Sequence, residues 1–364
     1  MKYHKIIIFF PIFNRGGLEE VGKSLIKFFL KKKFIIELIT FNKKNVNIHN
    51  KKLKIFQFSK NKYKKSNFLK ILSCSIILRE RLKANDNQNV IILSLQNSIF
   101  SIILAKIYKF KIVIKNANPI KALFLSGNKV KNFFIFLTKI FFYNFANFIV
   151  VNSEYNKETL SNFIINKKKV IKIYNPIDIN NHKPKKNKQN IILYVGRIVK
   201  EKGLITLIKA FKIISNKKFK LMIVGDGDFM KDLKLLIKSE GLKKKIILTG
   251  WINNPTKIYS KSKILVLPTL FEAFGNVLIE GMNHNLVCIA SKNSGGPDEI
   301  LSNGKYGFLF KKNDHYDLKN KIELCINNQK LTNLKIKLAK RNLYKYSKIK
   351  NLYKYYKLFK SIDL

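Results

Sequence analysis

The sequence contains few of the residues that build metal sites and disulfide frameworks. Its 364 residues include three cysteines, Cys74, Cys288 and Cys325, which lie far apart and form no CxxC pair. Neither a zinc site nor a disulfide framework is predicted, and a reducing cytoplasm is the expected location. The apolar run KIIIFF, which starts at Lys5, is short and is followed by polar residues without a small-residue cleavage site. It therefore predicts a buried strand and no signal peptide.

Long apolar runs are also missing. The most apolar stretch, Asn132 to Val151, is interrupted by Lys139, Asn144 and Asn147, so it predicts a helix and then a strand. The helical part, VKNFFIFLTKIFFYNF, allows peripheral contact with an anionic leaflet at the inner face of the cell membrane. Burial inside the domain is the expected outcome for most of its apolar residues. The final segment, YSKIKNLYKYYKLFKSI, predicts a helix packed on the body of the protein.

Acidic residues are scarce. There are 21 Asp and Glu residues against 72 Lys and Arg residues, and the formal net charge is +51. Such a charge is typical of proteins that bind nucleic acid or anionic membranes. However, the lysines are dispersed and accompanied by many Asn, Ile, Phe and Tyr residues, a bias that an AT-rich genome produces by itself. The sequence contains no nucleic-acid-binding motif. The charge alone therefore keeps a polyanion-binding protein as the alternative to an enzyme.

Alternating strands and helices predict an α/β chain with two doubly wound domains. The predicted strands are KIIIFF, FIIELIT, NVIILSL, KIVIKN and FIVVNS, followed by IILYVGR, KLMIVGDG, KIILTG, KILVLP and LVCIAS. The predicted boundaries are 1–175 for the first domain, 176–190 for a polar linker, 191–345 for the second domain and 346–364 for a helix that can cross back. Because open α/β sheets bind ligands at the carboxyl ends of their strands, a cleft between the domains is the expected site.

Glycine-marked turns after predicted strands indicate a phosphorylated ligand. Gly16 and Gly17 lie between a strand and a helix, where the backbone can approach an anion closely. The turn YVGRIVKEKGL carries Gly196, Arg197 and Lys202, and its two cations form the fork of donors that a diphosphate needs. Solvated surface side chains are the alternative in so basic a chain.

The stretch FEAFGNVLIEGM places two carboxylates eight positions apart. A helix beginning near Asn276 directs N–H groups with partial positive charge at a ligand. Glu272 in the preceding turn can accept hydrogen bonds from sugar hydroxyls, and Glu280 can bridge a vicinal diol such as that of a ribose. An exposed helical position is the alternative for Glu280. Gly225 lies in another strand-to-helix turn, VGDGDFM, which is equally consistent with a simple turn.

The order and spacing of these stretches resemble glycosyltransferase family 4, the retaining "glycosyl transferases group 1" enzymes. The matching stretches span about residues 190–312 and are GRIVKEKG, VGDGD, LTGW, LPTLFEAFGNVLIEGM, IASKNSGGPDEI and NGKYGFLF. The first half is similar through GGLEE, VVNSEYNKE and IYNPID. The resemblance implies a GT-B fold, with two Rossmann-like domains facing a central cleft. It also implies transfer of a hexose or N-acetylhexosamine from a nucleoside diphosphate, UDP, to a lipid-linked or growing glycan in polysaccharide or lipopolysaccharide biosynthesis.

The resemblance also implies roles for individual residues. Arg197 and Lys202 hold the donor diphosphate, Glu272 contacts the donor sugar, and these three are the catalytic candidates. The donor-binding candidates are Gly16, Gly17, Gly196, Gly225, Trp251, Phe274, Gly275, Asn276, Val277 and, for the ribose, Glu280. The two cations and a helix N-terminus stabilise the leaving diphosphate, so neither a metal nor a further cofactor is required.

One stretch departs from the family pattern. Many members carry a histidine near the acceptor, at the end of the strand that matches IVIKNANP. This sequence has Lys115, Asn116 and Asn118 there and no histidine. Asn118 is the candidate acceptor-side residue, and a catalytically silent relative stays open as an alternative.

Overall fold

Both ends of the chain belong to the same α/β unit. Residues group by their contacts into a first unit, Met1–Pro176 with Lys348–Leu364, and a second unit, Ile177–Ser347. The computed structural model describes residues 4–13, 16–42, 46–58, 66–118, 123–124, 128–179 and 188–362. Residues 180–187 of the predicted linker lie outside the described residues. Ile177 forms a β-bridge with Ser347 within the second unit.

Short apolar runs form a seven-stranded sheet in the first unit. The strands are β1 (Lys5–Phe9), β2 (Ile35–Thr40), β3 (Leu53–Gln57), β4 (Val90–Ser94), β5 (Lys111–Asn116), β6 (Phe148–Val151) and β7 (Val170–Lys172). They pair in parallel in the order β3-β2-β1-β4-β5-β6-β7. Runs of Ile and Val suit this arrangement, because helices cover both faces of a parallel sheet.

Helices pack on both faces of this first sheet. They are α1 (Gly17–Lys31), α2 (Asn67–Lys83), α3 (Ile99–Ile107), α4 (Lys129–Tyr143), α5 (Glu154–Ser161) and α13 (Lys348–Lys360). Ile6 and Ile8 share a core with α1 and α13, whereas Ile7 and Phe9 share a core with α2 and α3. Alternate residues of one strand therefore fill two separate cores.

The C-terminal segment is a helix that packs within the first unit. In α13, Leu352 and Tyr355 are buried in the same core as α1, and the ring of Phe359 stacks on that of Phe29 at 5.0 Å. The predicted packing of this segment on the body of the protein is confirmed. Within the described part of the chain, no helix is both long enough and apolar enough to cross a membrane.

The most apolar stretch forms a helix and a strand, as predicted, but the helix leaves most of its apolar residues uncovered. Of the residues of α4, Tyr143 alone is buried, whereas Phe133, Phe134 and Phe141 are exposed. The expectation that most of these apolar residues are buried is therefore wrong. The helix instead turns Lys139 towards the protein, where burial lowers the pKa of the ammonium group.

The second unit contains a six-stranded parallel sheet. Its strands are β8 (Ile191–Val195), β9 (Lys220–Val224), β10 (Ile246–Gly250), β11 (Ile264–Leu267), β12 (Val287–Ser291) and β13 (Phe308–Phe310). Its helices are α6 (Leu204–Lys212), α7 (Met230–Ser239), α8 (Thr256–Lys261), α9 (Asn276–Asn283), α10 (Gly296–Ile300), α11 (His315–Asn327) and α12 (Gln329–Asn342). The order β10-β9-β8-β11-β12-β13 reverses between β8 and β11, as in Rossmann-like sheets.

Candidate active site

The charged candidate residues lie where the strand order of the second sheet reverses. Arg197 and Lys202 follow β8, whereas Glu272 and Glu280 follow β11, the neighbouring strand. The connections from two such strands lead to opposite sides of the sheet, so their carboxyl ends border a crevice. This is the position at which open α/β sheets bind ligands.

Lys202 and Glu272 form an ion pair at this edge of the sheet. The Lys202 Nζ atom lies 2.6 Å from the Glu272 Oε2 atom, and the two side chains are 15% and 19% exposed. Two further hydrogen bonds join the same segments: Leu270 N–H and the Thr269 hydroxyl both donate to the carbonyl oxygen of Glu201. The structure therefore brings together two predicted residues that are 70 positions apart in the sequence.

A glycine that sequence reasoning did not single out allows this pairing. Gly203 has a φ of +66° and follows the 3₁₀ turn Lys200–Lys202. A Cβ atom at this position would lie 1.9 Å from the carbonyl oxygen of Pro268. Only glycine therefore fits both the left-handed backbone and the close approach. The glycine in GRIVKEKG was a signal for this turn, although the contact with Pro268 was not predictable.

The turn that contains Glu272 is fixed from both sides. Glu272 N–H donates to the carbonyl oxygen of Ser294, and Gly296 N–H donates to the carbonyl oxygen of Glu272. Phe274 is buried, and Gly275 is the N-cap of α9. Asn276 and Val277 therefore form the first turn of a helix whose positive dipole end lies beside the Glu272 turn.

Arg197 presents an exposed side chain in the turn after β8. Its carbonyl oxygen accepts a hydrogen bond of 2.7 Å from the hydroxyl of Tyr194, which fixes the backbone of this turn. Burial, followed by the nearby Glu272 carboxylate, raises the pKa of Tyr194, so this hydroxyl stays protonated and donates. Among the described residues, Arg197 has no ion-pair partner, and its guanidinium can bind an anion.

Glu280 is partly buried and is held by a tyrosine. The Tyr259 hydroxyl donates a hydrogen bond of 2.7 Å to Glu280 Oε2. Burial, followed by the charge of Glu280, raises the pKa of Tyr259 well above its usual value. The Tyr259 ring also stacks on that of His284, with centroids 5.2 Å apart. Sequence reasoning missed Tyr259, because a tyrosine in a short helix carries no motif.

The neighbouring strands β9 and β10 bring the other donor-binding candidates to the same edge. Gly225 N–H donates to the carbonyl oxygen of Gly250. Gly225 has a φ of +146°, and a Cβ atom there would lie 1.8 Å from the carbonyl oxygen of Gly196. Trp251, directly after β10, is 38% exposed and donates from Nε1 to Asn253 Oδ1 at 2.9 Å.

Three candidate residues lie in the first unit. Gly16 is the N-cap of α1, which begins at Gly17. Asn118 is exposed after β5. Lys115, at the end of the same strand, is buried and donates to the Tyr355 hydroxyl at 3.1 Å. It therefore belongs to the contact with α13 and not to an exposed acceptor surface.

The metal-binding and thiol side chains that the structure describes lie apart from one another or are buried. Across residues that the structure describes, no three or more His, Cys, Asp and Glu side chains gather as a metal site. All three cysteines are buried. Burial raises the pKa of Cys74 and of Cys288 to about 12, so neither is a thiolate nucleophile at neutral pH.

Comparisons with known proteins agree on one family. A family model described as Glycosyl transferases group 1 matches residues 177–342. A Campylobacter jejuni N-acetylgalactosamine-N,N'-diacetylbacillosaminyl-diphospho-undecaprenol 4-alpha-N-acetylgalactosaminyltransferase is 28% identical over 361 residues, 95% of this chain and 96% of that protein. An uncharacterized glycosyltransferase of Methanocaldococcus jannaschii is 30% identical over 303 residues, 76% of this chain and 72% of that protein. The crystal structure of Anabaena HepE in complex with UDP and glucose has a TM-score of 0.82 at 17% identity, covering 99% of this chain and 100% of that chain. The fold is therefore GT-B.

Proposed function

Because the chain belongs to the glycosyl transferases group 1 family, we propose that it is a retaining family 4 enzyme that transfers a sugar from UDP to a lipid-linked glycan. The name of the Campylobacter relative, which includes a diphospho-undecaprenol acceptor, supports the acceptor class. The complex of HepE with UDP and glucose supports UDP as the nucleotide. The donated sugar is a hexose or an N-acetylhexosamine, and the product is an envelope polysaccharide or lipopolysaccharide precursor.

The arrangement of Lys202, Glu272 and Arg197 is the observation that carries this proposal. A neutral sugar needs acceptors for its hydroxyls, whereas a diphosphate needs cations. The ion pair of Lys202 with Glu272 at 2.6 Å brings one group of each kind together at the reversal of strand order. Arg197, which precedes Lys202 in the connection from β8 to α6, adds a second cation, and α9 adds a helix N-terminus.

Leaving-group stabilisation follows from these charges. When the bond between the anomeric carbon and the diphosphate oxygen breaks, negative charge grows on the diphosphate and the sugar gains oxocarbenium character. Lys202 has three N–H donors, so it can keep its contact with Glu272 while it binds a phosphate oxygen. Arg197 binds a second phosphate oxygen, and no metal is required for this charge balance.

Retention of configuration requires the acceptor to approach from the face that the diphosphate leaves. In the proposed step the acceptor oxygen bonds to the anomeric carbon, and its proton moves to the departing phosphate oxygen. This step needs no protein nucleophile and no histidine base. It is therefore compatible with Lys115 and Asn116, both buried, and the exposed Asn118 at the end of β5.

Glu280 binds the ribose in this proposal. Tyr259 donates to Oε2 at 2.7 Å and thereby fixes the plane of the carboxylate. A fixed carboxylate can accept hydrogen bonds from two vicinal hydroxyls without losing much conformational entropy. The remaining donor-binding residues supply backbone groups: Gly16, Gly17, Gly196, Gly225, Trp251, Phe274, Gly275, Asn276 and Val277.

A nucleotide-sugar screen and one substitution test the proposal. The wild-type protein is expected to gain thermal stability with at least one UDP-sugar and to transfer its sugar, with product anomers identified by NMR. Glu280→Ala should abolish the thermal stabilisation and the transfer measured at donor concentrations below the wild-type KM. Glu240→Ala is the matched control, because Glu240 follows α7 at the opposite edge of the sheet and forms its own ion pair with Lys212 at 2.7 Å.

Three results would contradict the proposal in different ways. If no nucleotide-sugar raised the thermal stability of the protein, the protein would be a catalytically silent relative. An inverted anomer in the product would refute the retaining assignment. Salt-sensitive DNA binding that UDP does not affect would instead support a polyanion-binding protein.

A further inference from the structure

Helix α4 in the first unit presents an apolar stripe to solvent. Its exposed apolar residues include Phe134 at 62% and Phe141 at 61%. The whole set, which continues just past the helix end, is Val130, Phe133, Phe134, Leu137, Phe141 and Phe145. At 100° per residue these positions fall within an arc of about 120°. They form one continuous face, called here the α4 face.

The orientation of α4 is the reverse of that in an ordinary surface helix. Such a helix turns its apolar stripe to the core and its lysines to water. In α4, Lys139 lies on the side opposite the α4 face, and burial lowers the pKa of its ammonium group. Burying a lysine and exposing phenylalanines to water are both unfavourable, and an exposed apolar face of this kind marks a surface that a partner covers.

Aromatic side chains outside the helix extend this surface. The ring of Phe136 contacts those of Phe124 and Phe163, with centroids 5.8 and 5.0 Å apart. Phe163 is 45% exposed and Ile165 is 90% exposed. Ile165 N–H donates to Asn144 Oδ1, which holds it beside the end of α4.

The charges around the α4 face are positive. The sequence contains eight lysines and no acidic residue between positions 87 and 153. Exposed amines lie at both ends of the surface, Lys129 and Lys131 at the start of α4 and Lys167 and Lys168 beside Ile165. Glu158 is the acidic residue that lines a pocket with Phe124 and Phe163. A second copy of the chain would bring a like charge of +51, which disfavours self-association.

We propose that the α4 face docks on an anionic lipid bilayer, with its aromatic side chains in the interfacial region and the flanking lysines on lipid headgroups. The helix has 15 residues, which gives a length of about 22 Å in the membrane plane. A bare aromatic stripe flanked by amines is the pattern of helices that lie in the interface. The α4 face contains no residue of the proposed nucleotide site, so membrane docking and the proposed function can be tested independently.

Vesicle co-sedimentation of the full chain tests this proposal. Wild-type protein should bind vesicles of phosphatidylcholine with about one third phosphatidylglycerol and should bind phosphatidylcholine alone at least tenfold more weakly. The double variant Phe134→Ser, Phe141→Ser should lower partitioning into anionic vesicles at least tenfold without changing charge. A matched control, Leu235→Ser with Leu334→Ser, removes two apolar side chains that are 66% and 52% exposed in the second unit. It should bind like wild type.

A second pair of substitutions separates charge from apolar contact. Lys129→Gln with Lys131→Gln should weaken binding severalfold and make it less sensitive to salt. Absence of vesicle binding at low salt would overturn the proposal. Equal binding by the phenylalanine double variant would also overturn it, because dispersed charge would then suffice. A dimer in sedimentation velocity that the phenylalanine variant abolishes would identify a second copy as the occupant instead.

Discussion

Replacing Tyr259 with phenylalanine removes one hydroxyl and tests how Glu280 is positioned. The hydroxyl donates to Glu280 Oε2 at 2.7 Å, and the Tyr259 ring is 2% exposed. Phenylalanine keeps the ring and its stacking on His284, so the core around it should persist. A hydrogen bond to a charged group contributes about 1.5–3 kcal/mol. If that energy holds the carboxylate in the orientation that binds ribose, the Kd for UDP should rise by about 10- to 150-fold.

The kinetic effect should appear in KM and not in kcat. The ribose does not change between ground and transition states, so in its proposed role Glu280 would bind it equally in both. Loss of uniform binding raises KM and leaves kcat unchanged. Calorimetry with UDP and initial rates with the UDP-sugar found in the screen would measure the two quantities on the same protein.

Tyr355→Phe is the matched control for this substitution. It removes the hydroxyl of another buried tyrosine, one that accepts a hydrogen bond from Lys115 in the first unit. Both variants should be compared below their melting temperatures, and Tyr355→Phe should leave the Kd for UDP unchanged. A Kd for UDP within twofold of wild type in Tyr259→Phe would refute the positioning role. A fall in kcat at constant KM would refute the ribose assignment of Glu280.

Two further substitutions test the cation and the buried lysine. Lys202→Met should lower kcat by about 100-fold, because it removes a positive charge that stabilises the leaving diphosphate. Lys212→Met is the control, because it breaks an exposed ion pair with Glu240 and should leave kcat unchanged. Equal effects of the two changes on kcat would argue against a role of Lys202 in the chemical step. Burial lowers the pKa of Lys115 from 10.5 to about 7, so the unfolded state binds the proton more tightly than the folded state. Lys115 therefore lowers the free energy of unfolding, and this loss grows as the pH falls from about 10.5 to 7, reaching about 5 kcal/mol. Lys115→Met removes this loss but also a hydrogen bond of about 1–3 kcal/mol. Chemical denaturation should therefore find the variant about 2–4 kcal/mol more stable than wild type at pH 7 and no more stable near pH 10. A stability difference that does not depend on pH would refute the effect of Lys115 protonation.

The strands that the sequence did not predict share one position in the fold. β3, β7 and β13 are all edge strands, and each has one neighbour in its sheet. β7 and β13 have three residues each, and no residue of β3 is fully buried. An edge strand is not covered on both sides, so it does not need the continuous apolar run by which the central strands were predicted.

The orientation of α4 could not be predicted for a related reason. Ile135, Phe136 and Phe142 lie outside the α4 face and are apolar as well, so the helix has a second apolar side and its periodicity alone does not decide which side faces the protein. Which side faces the protein depends on how α4 packs against α3, a tertiary contact that no single helix sequence contains. Composition therefore predicted the helix, whereas packing determined that Lys139 points inwards.

The positions of Glu272 and Glu280 were predicted from a motif, but their hydrogen-bond partners were not. Lys202 reaches Glu272 because Gly203 lets its turn approach Pro268, and Tyr259 reaches Glu280 from α8. Each carboxylate is thus held by a donor from a separate segment of the second unit. Acids fixed in this way are suited to recognise hydroxyl groups by orientation, because an ionised carboxylate only accepts hydrogen bonds. In the proposed function, the two carboxylates therefore have separate recognition roles, with the N-terminus of α9 and the diphosphate between them.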